Sequence, residues 1–183
     1  MRRESNYIRN EEGTTAVEFA LVGGLFLLSL IFVIASALVV FINQTIDNAT
    51  IRASRQILTG GLQSQSTAAT LTGFKKSLCG YLPATISCDD VIVNLYVVPK
   101  AVQPSGYYSY VASDMSGVTV ANLSTGAGQF NLGSRGDYQY LQVVYPITFL
   151  PPQIASWLSG GATYKGKAAY LAVSAAAFRN EQY

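Results

Sequence analysis

Gly13-Thr14-Thr15-Ala16-Val17-Glu18-Phe19 opens the stretch whose reading decides the fold. From Glu18 no charged residue appears until Asp47. A helix needs roughly 20 apolar residues to cross a bilayer core, and this interval exceeds that. The sequence therefore reads as a membrane span with a single carboxylate at its mouth. A charge in hydrocarbon costs on the order of 2.5 to 3.5 kcal/mol at mid-bilayer and less near the surface, so such a carboxylate calls for a reason. Gly13 separates a polar leader from the apolar body, which makes it a candidate cleavage point. A cut there leaves a free amine on Thr14 and makes Glu18 the fifth residue of the mature chain.

The rest of the composition narrows the field. The chain has 183 residues, 50% of them hydrophobic and 12% charged. That length has room for one span and one small domain. A net charge of +2 is too small for a partner held through phosphate contacts, so no nucleic acid is expected. The absence of histidine removes Ser-His-Asp and Cys-His catalysis and the commonest metal ligand. Asp89 and Asp90 adjoin a cysteine loop, and Asp114 and Asp137 fall in loops. None has a partner at a spacing that chemistry demands. The expectation is a protein that is no enzyme and needs no cofactor or metal.

Upstream, Arg2, Arg3 and Arg9 are balanced by Glu4, Glu11 and Glu12. Counting Lys and Arg alone, the bias toward a cytoplasmic N-terminus is slight, because Arg52 and Arg55 follow the span. Downstream, Ile42, Ile46, Ala49, Ala53, Ile57 and Leu58 keep a helical rhythm, and Gly60-Gly61 is a stop. One helix from about Thr15 to Thr59 would be roughly 67 Å long. Gly23-Gly24 reads as close helix packing or a slight kink.

The remainder reads as a separate domain. Leu62 to Ala69 is a linker. Thr70 to Leu82 forms a short helix with Leu71, Phe74, Leu78 and Leu82 on one face. Cys79 and Cys88, on an exported domain, suggest a disulfide worth about 2.5 to 3 kcal/mol, with two free thiols as the alternative. Val91 to Val98 is a strand. Tyr107 to Val111 and Gly117 to Leu123 are short strand candidates, and Ser124 to Gly136 is loop. Tyr138 to Leu150 is the clearest strand, with Tyr140, Gln142 and Val144 on one face and Leu141, Val143 and Tyr145 on the other. Pro146 inside it argues for an edge strand or a bulge. Gln153 to Leu158 is a turn of helix, and Lys167 to Phe178 favours strand. The fold class is α+β: a long N-terminal transmembrane helix, a short second helix and a small antiparallel sheet of three to five strands.

Two bland readings of the N-terminus stand beside the cut at Gly13. One is a signal peptide cleaved at Ala35-Ser36-Ala37; the other is an uncleaved anchor. The first would leave Leu38 to Ile42 as an exposed apolar start.

Gly13 followed by Thr14-Thr15-Ala16-Val17-Glu18-Phe19-Ala20-Leu21 resembles the prepilin-peptidase site of TadE-like minor pilins of the tight adherence (Flp pilus) system. Thr50-Ile-Arg52 through Gly60, the Phe74-to-Cys79 segment with Cys88, Leu141-to-Pro146 and Phe178-Arg-Asn-Glu181 resemble further segments of that family. Where the family carries a proline soon after the Glu-Phe pair, this chain has Gly24. The resemblance implies a leader at 1–13 removed between Gly13 and Thr14, a helix at 14–60 and an extracytoplasmic domain at 61–183. It also implies that Glu18 and Phe19 act in assembly, with the Glu18 carboxylate meeting the amine of a neighbouring subunit. The implied partners are the prepilin peptidase, other pilin and minor pilin subunits and the inner membrane, and the implied role is assembly or initiation of an adhesive pilus. The competing function class is a membrane-anchored binding module that contacts a surface through its tyrosines, among them Tyr107, Tyr108 and Tyr110.

Overall fold

The structure, a computed structural model, describes residues 12–59, 67–98, 110–117, 119, 123 and 130–181. Helix α1 (Glu12–Leu58) passes through two compact units, Met1–Val40 and Phe41–Tyr183. In the first unit the described residues are helix and little else. Their side chains are exposed almost throughout; Phe19, Leu25, Leu28, Ile31 and Phe32 all stand clear of any contact partner. That much apolar surface has no place in water. The helix from Gly13 is long and apolar enough to cross a membrane. Its hydroxyls are satisfied locally: Ser29 donates to the Phe26 carbonyl (2.7 Å) and Ser36 to the Phe32 carbonyl (2.9 Å). Back-bonding of this kind leaves no orphaned donor for lipid.

In the second unit the remainder of α1 packs on a domain. Helix α2 (Thr67–Cys79) is followed by a 3-10 turn at Cys88–Asp90 and strand β1 (Ile92–Val98). Then come β2 (Tyr138–Ile147), α3 (Pro152–Ser159), the short strands β3 (Thr163–Tyr164) and β4 (Lys167–Ala168), and β5 (Tyr170–Arg179). The main sheet is antiparallel in the order β1-β2-β5, and β3-β4 form a separate hairpin. Helix α2 ends earlier than its apolar pattern predicts because Gly80 takes over, its amide reaching the carbonyls of Lys76 and Ser77 at 3.1 Å. The Lys167-to-Phe178 segment is strand, as read, but breaks at Ala169 into β4 and β5. The expected linker, Leu62 to Ala69, is described only from residue 67 onward, and there it is already the first turn of α2 rather than linker. Gly60-Gly61, most of the leader and most of the two short strand candidates lie outside the described residues.

The pattern of β2 needs one correction. Pro146 predicts an edge strand or a bulge, yet β2 is central among the described strands and its register with β5 runs one-for-one through Pro146. The register explains this. Pairing with β1 stops at Ile92 opposite Val144, whereas pairing with β5 continues through Pro146 opposite Leu171 to Ile147. At Pro146 the described strands give a neighbour on the β5 side only, so on the β1 side there is no ladder bond for the missing donor to break.

Both faces of this sheet are covered. On one, Leu95, Leu141 and Val143 meet Ile46, Ala49, Ala53 and Ile57 of α1 and Phe74 and Leu78 of α2, all buried. The helical rhythm read from Ile46 to Ile57 is therefore the seam between helix and sheet. Phe130 closes this core, its ring 5.7 Å from that of Phe74. On the other face Ile92 and Val144 pack with Tyr164 and Ala169. The same face carries a column in which Tyr110 lies between Tyr96 (5.1 Å) and Tyr140 (4.7 Å).

Cys79 and Cys88 form a disulfide with a Cα separation of 5.8 Å, fastening the end of α2 to the start of the 3-10 turn. Replacing both by Ser removes a loop-closing link worth about 2.7 kcal/mol for a loop this short. The expected result is an earlier thermal unfolding transition of the second unit, matched by the wild-type chain under reductant. An unchanged midpoint in both would contradict it.

Candidate processing and assembly site

Gly13 and Thr14 lie in the first turn of α1, which begins at Glu12. The first amides of a helix have no intrahelical acceptor, so this turn is the part of α1 most easily unwound. Around Gly13 nothing approaches the position a Cβ would take. Among the described residues, packing thus does not demand a glycine at this position.

Glu18 and Phe19 follow on the same helix, both exposed, Phe19 to 80%. Thr14 and Glu18 stand four residues apart, which places them on one helix face. With residues 1–13 removed, the Thr14 amine and the Glu18 carboxylate would share the positive end of the helix, where the dipole favours an anion. The structure brings the four candidate residues Gly13, Thr14, Glu18 and Phe19 together on about two turns of one helix. No tertiary contact buries Glu18 or Phe19. Gly23 and Gly24 have likewise no neighbour within 4 Å of a would-be Cβ.

The far end of the second unit holds a polar hub that residue-type reasoning did not find. Asn180 is buried and donates through Nδ2 to the carbonyls of Leu132 (2.9 Å) and Ser134 (3.1 Å). Gln139, also buried, donates to the same Leu132 carbonyl at 2.7 Å. The Glu181 amide donates to the Leu58 carbonyl at 3.2 Å, tying the C-terminal strand to the last turn of α1. Gly133 has φ +60°, and a Cβ there would sit 2.4 Å from Gln139 Nε2 and 2.8 Å from Val97 Cγ2. Only glycine fits. The one signal for this hub in the sequence was the Phe178-Arg-Asn-Glu181 segment. Lower down, the Ser174 hydroxyl donates to Asp47 at 2.8 Å, a second tie between β5 and α1.

Of the tyrosines singled out, Tyr110 is in the column and Tyr107 and Tyr108 lie outside the described residues. Burial pushes the phenols of Tyr96, Tyr110 and Tyr140 above their ordinary range. Beside the column is an open cavity of about 400 Å³, lined among the described residues by Tyr110, Tyr138, Tyr140, Phe178 and Arg179. The acidic residues are used structurally. Asp90 accepts from Lys165 (2.7 Å) and Tyr164 (3.1 Å), and the Lys165 hydrogen bond holds its carboxyl below the usual range. Asp114 accepts from the amide and hydroxyl of Ser116, and Asp137 from the amide of Ser134.

Residues 13–55 match the family model described as TadE-like protein. This segment, which holds all four candidate residues, is TadE-like. The match does not extend to the cysteine loop, the late strand or the C-terminal segment, where a resemblance was also read. No curated protein and no solved structure matches the chain.

Proposed function

We propose that this chain, TadE-like over residues 13–55, is a minor pilin-like structural subunit for assembly or initiation of a Tad (Flp) pilus. The match supports an association with that pilus. The observation that carries the finer reading is the exposed N-terminal helix with Gly13, Thr14, Glu18 and Phe19 on its first two turns. In this reading a prepilin peptidase removes residues 1–13, and the span at first anchors the chain in the inner membrane with the domain outside the cytoplasm. As the helix leaves lipid for a bundle of pilin helices, Glu18 meets the Thr14 amine of a neighbouring subunit. Two charges are neutralised in one step. In low dielectric such a pair is worth little net stability but depends strongly on register, so it selects the docking position. No catalytic role is assigned to any residue, and no cofactor is invoked.

A second reading, a membrane-anchored adhesin that is not built into a fibre, is favoured by the tyrosine- and arginine-lined cavity alone. Processing separates the two. Gly13→Ala adds a Cβ at the cut and stabilises the helical first turn by about 1 kcal/mol. The pilin reading expects the variant to stay at full length and piliation to fall. Normal shortening of the variant would refute it.

A further inference from the structure

Two ties order the second unit along its length. The Glu181 amide meets Leu58, and the Ser174 hydroxyl meets Asp47. β5 therefore runs alongside this part of α1 in the same direction. From Ser174 back to Tyr170 is roughly 13 Å at the rise of a strand. From Asp47 back to Phe41, the first residue of the unit, is roughly 9 Å at the rise of a helix. Tyr170, with Ile147 paired to it, thus lies at the Phe41 end. Phe41 is also where the apolar segment is covalently joined.

Everything between Ile147 and Tyr170 hangs from that end, and it contains α3. This helix is held by Pro152 in its first turn, the buried Ala155, and a left-handed Gly160 at its C-terminus. Its outward face is the reverse of a solvated one. Ile154, Trp157 and Leu158, at i, i+3 and i+4, are 39%, 83% and 46% exposed, and Phe149 just before them is 53% exposed. From Phe149 to Ala169 there is no Asp or Glu; on the adjoining β3-β4 hairpin Lys165 is paired with Asp90 across the chain, and Lys167 adds a second cation. A short amphipathic helix with a Trp on its apolar face and a lysine on the neighbouring hairpin has the chemistry of a bilayer interface.

We propose that the α3 face formed by Phe149, Ile154, Trp157 and Leu158 rests on a phospholipid interface while the protein is membrane-resident. The inference relies on reading the apolar segment as a span. Docking would hold the domain down on the membrane, and the face would have to come free when the helix enters a fibre.

Trp157 is the single tryptophan of the chain, so its fluorescence reports this face alone. The full chain is placed in nanodiscs of phosphatidylcholine and anionic phosphatidylglycerol, with and without brominated acyl chains. The expected result is blue-shifted emission, quenching by the brominated lipid, and loss of quenching by iodide. In Ile154→Ser/Leu158→Ser, which keeps Trp157 as the probe and alters only exposed positions, emission returns to the red and iodide quenching reappears. Solvent-like emission in the wild-type chain, quenched by iodide and untouched by brominated lipid, would overturn the inference. So would protection from iodide without lipid quenching, which means that a protein such as a second copy covers the face. A chain that elutes apart from the nanodiscs would refute the span itself, a failure distinct from that of docking.

Discussion

A Glu18→Ala chain is expected to lose its first thirteen residues as the wild type does and yet to be missing from the pilus. In the proposed reading the cut falls between Gly13 and Thr14, and the carboxylate lies beyond it on the next turn of α1. Removing the side chain leaves the cut unaffected and makes the span slightly more comfortable in lipid, since a carboxylate near the membrane surface is a cost. What disappears is the partner for the incoming amine. An unpaired Thr14 ammonium carried into a helical bundle faces a desolvation penalty of several kcal/mol. Each 1.4 kcal/mol is a factor of ten, so incorporation should fall by about two orders of magnitude or more. Glu18→Gln, which keeps the shape and loses the charge, should fail in the same way. Wild-type recovery of either variant in sheared pili would remove Glu18 from the assembly step.

Phe74→Ala should give the largest loss of stability among single truncations in the second unit. The ring is completely buried between α2 and the sheet and lies tilted against that of Phe130, with centroids 5.7 Å apart. Phe-to-Ala changes in such places cost about 3 to 5 kcal/mol. Domains are stable by only about 5 to 15 kcal/mol in total. In a unit of this size that corresponds to a fall in melting temperature of about 10 °C or more. Thermal unfolding of the detergent-solubilised chain, followed by circular dichroism, measures it. A shift of only a degree or two would mean that α2 is not fastened to the sheet as described.

The elements that were legible in the sequence are those set by one dominant local signal. The uncharged run after Glu18 announces a helix whatever surrounds it. The spacing from Ile46 to Ile57 gave the face on which the sheet lies, and Leu71, Phe74 and Leu78 gave that of α2. The two cysteines gave their link. The candidate site was readable because its residues are neighbours in sequence on one helix. What was not legible depends on partners distant in the chain. Pro146 signalled an edge, and only the register shows that a central strand can outrun its neighbour. Gln139 and Gln142 are polar residues on opposite faces of β2, and nothing local marks either as buried. Both are buried, because the Leu132 carbonyl and the Thr119 carbonyl (3.1 Å from Gln142 Nε2) come from segments no local pattern connects to β2. Asp47 marked only the end of the uncharged run in the sequence, and the fold makes it a tie to Ser174. The apolar outer face of α3 was hidden for the opposite reason. A turn of helix with Ile, Trp and Leu looks like core until the fold leaves it uncovered.

The central claim is that the chain works with a new N-terminus at Thr14. Intact mass and N-terminal sequencing of the membrane-bound protein, from cells with and without the host's prepilin peptidase, test it most directly. The account predicts a chain beginning at Thr14 when the peptidase is present and at Met1 when it is absent. A chain beginning at Met1 in both, or at Leu38, would contradict it.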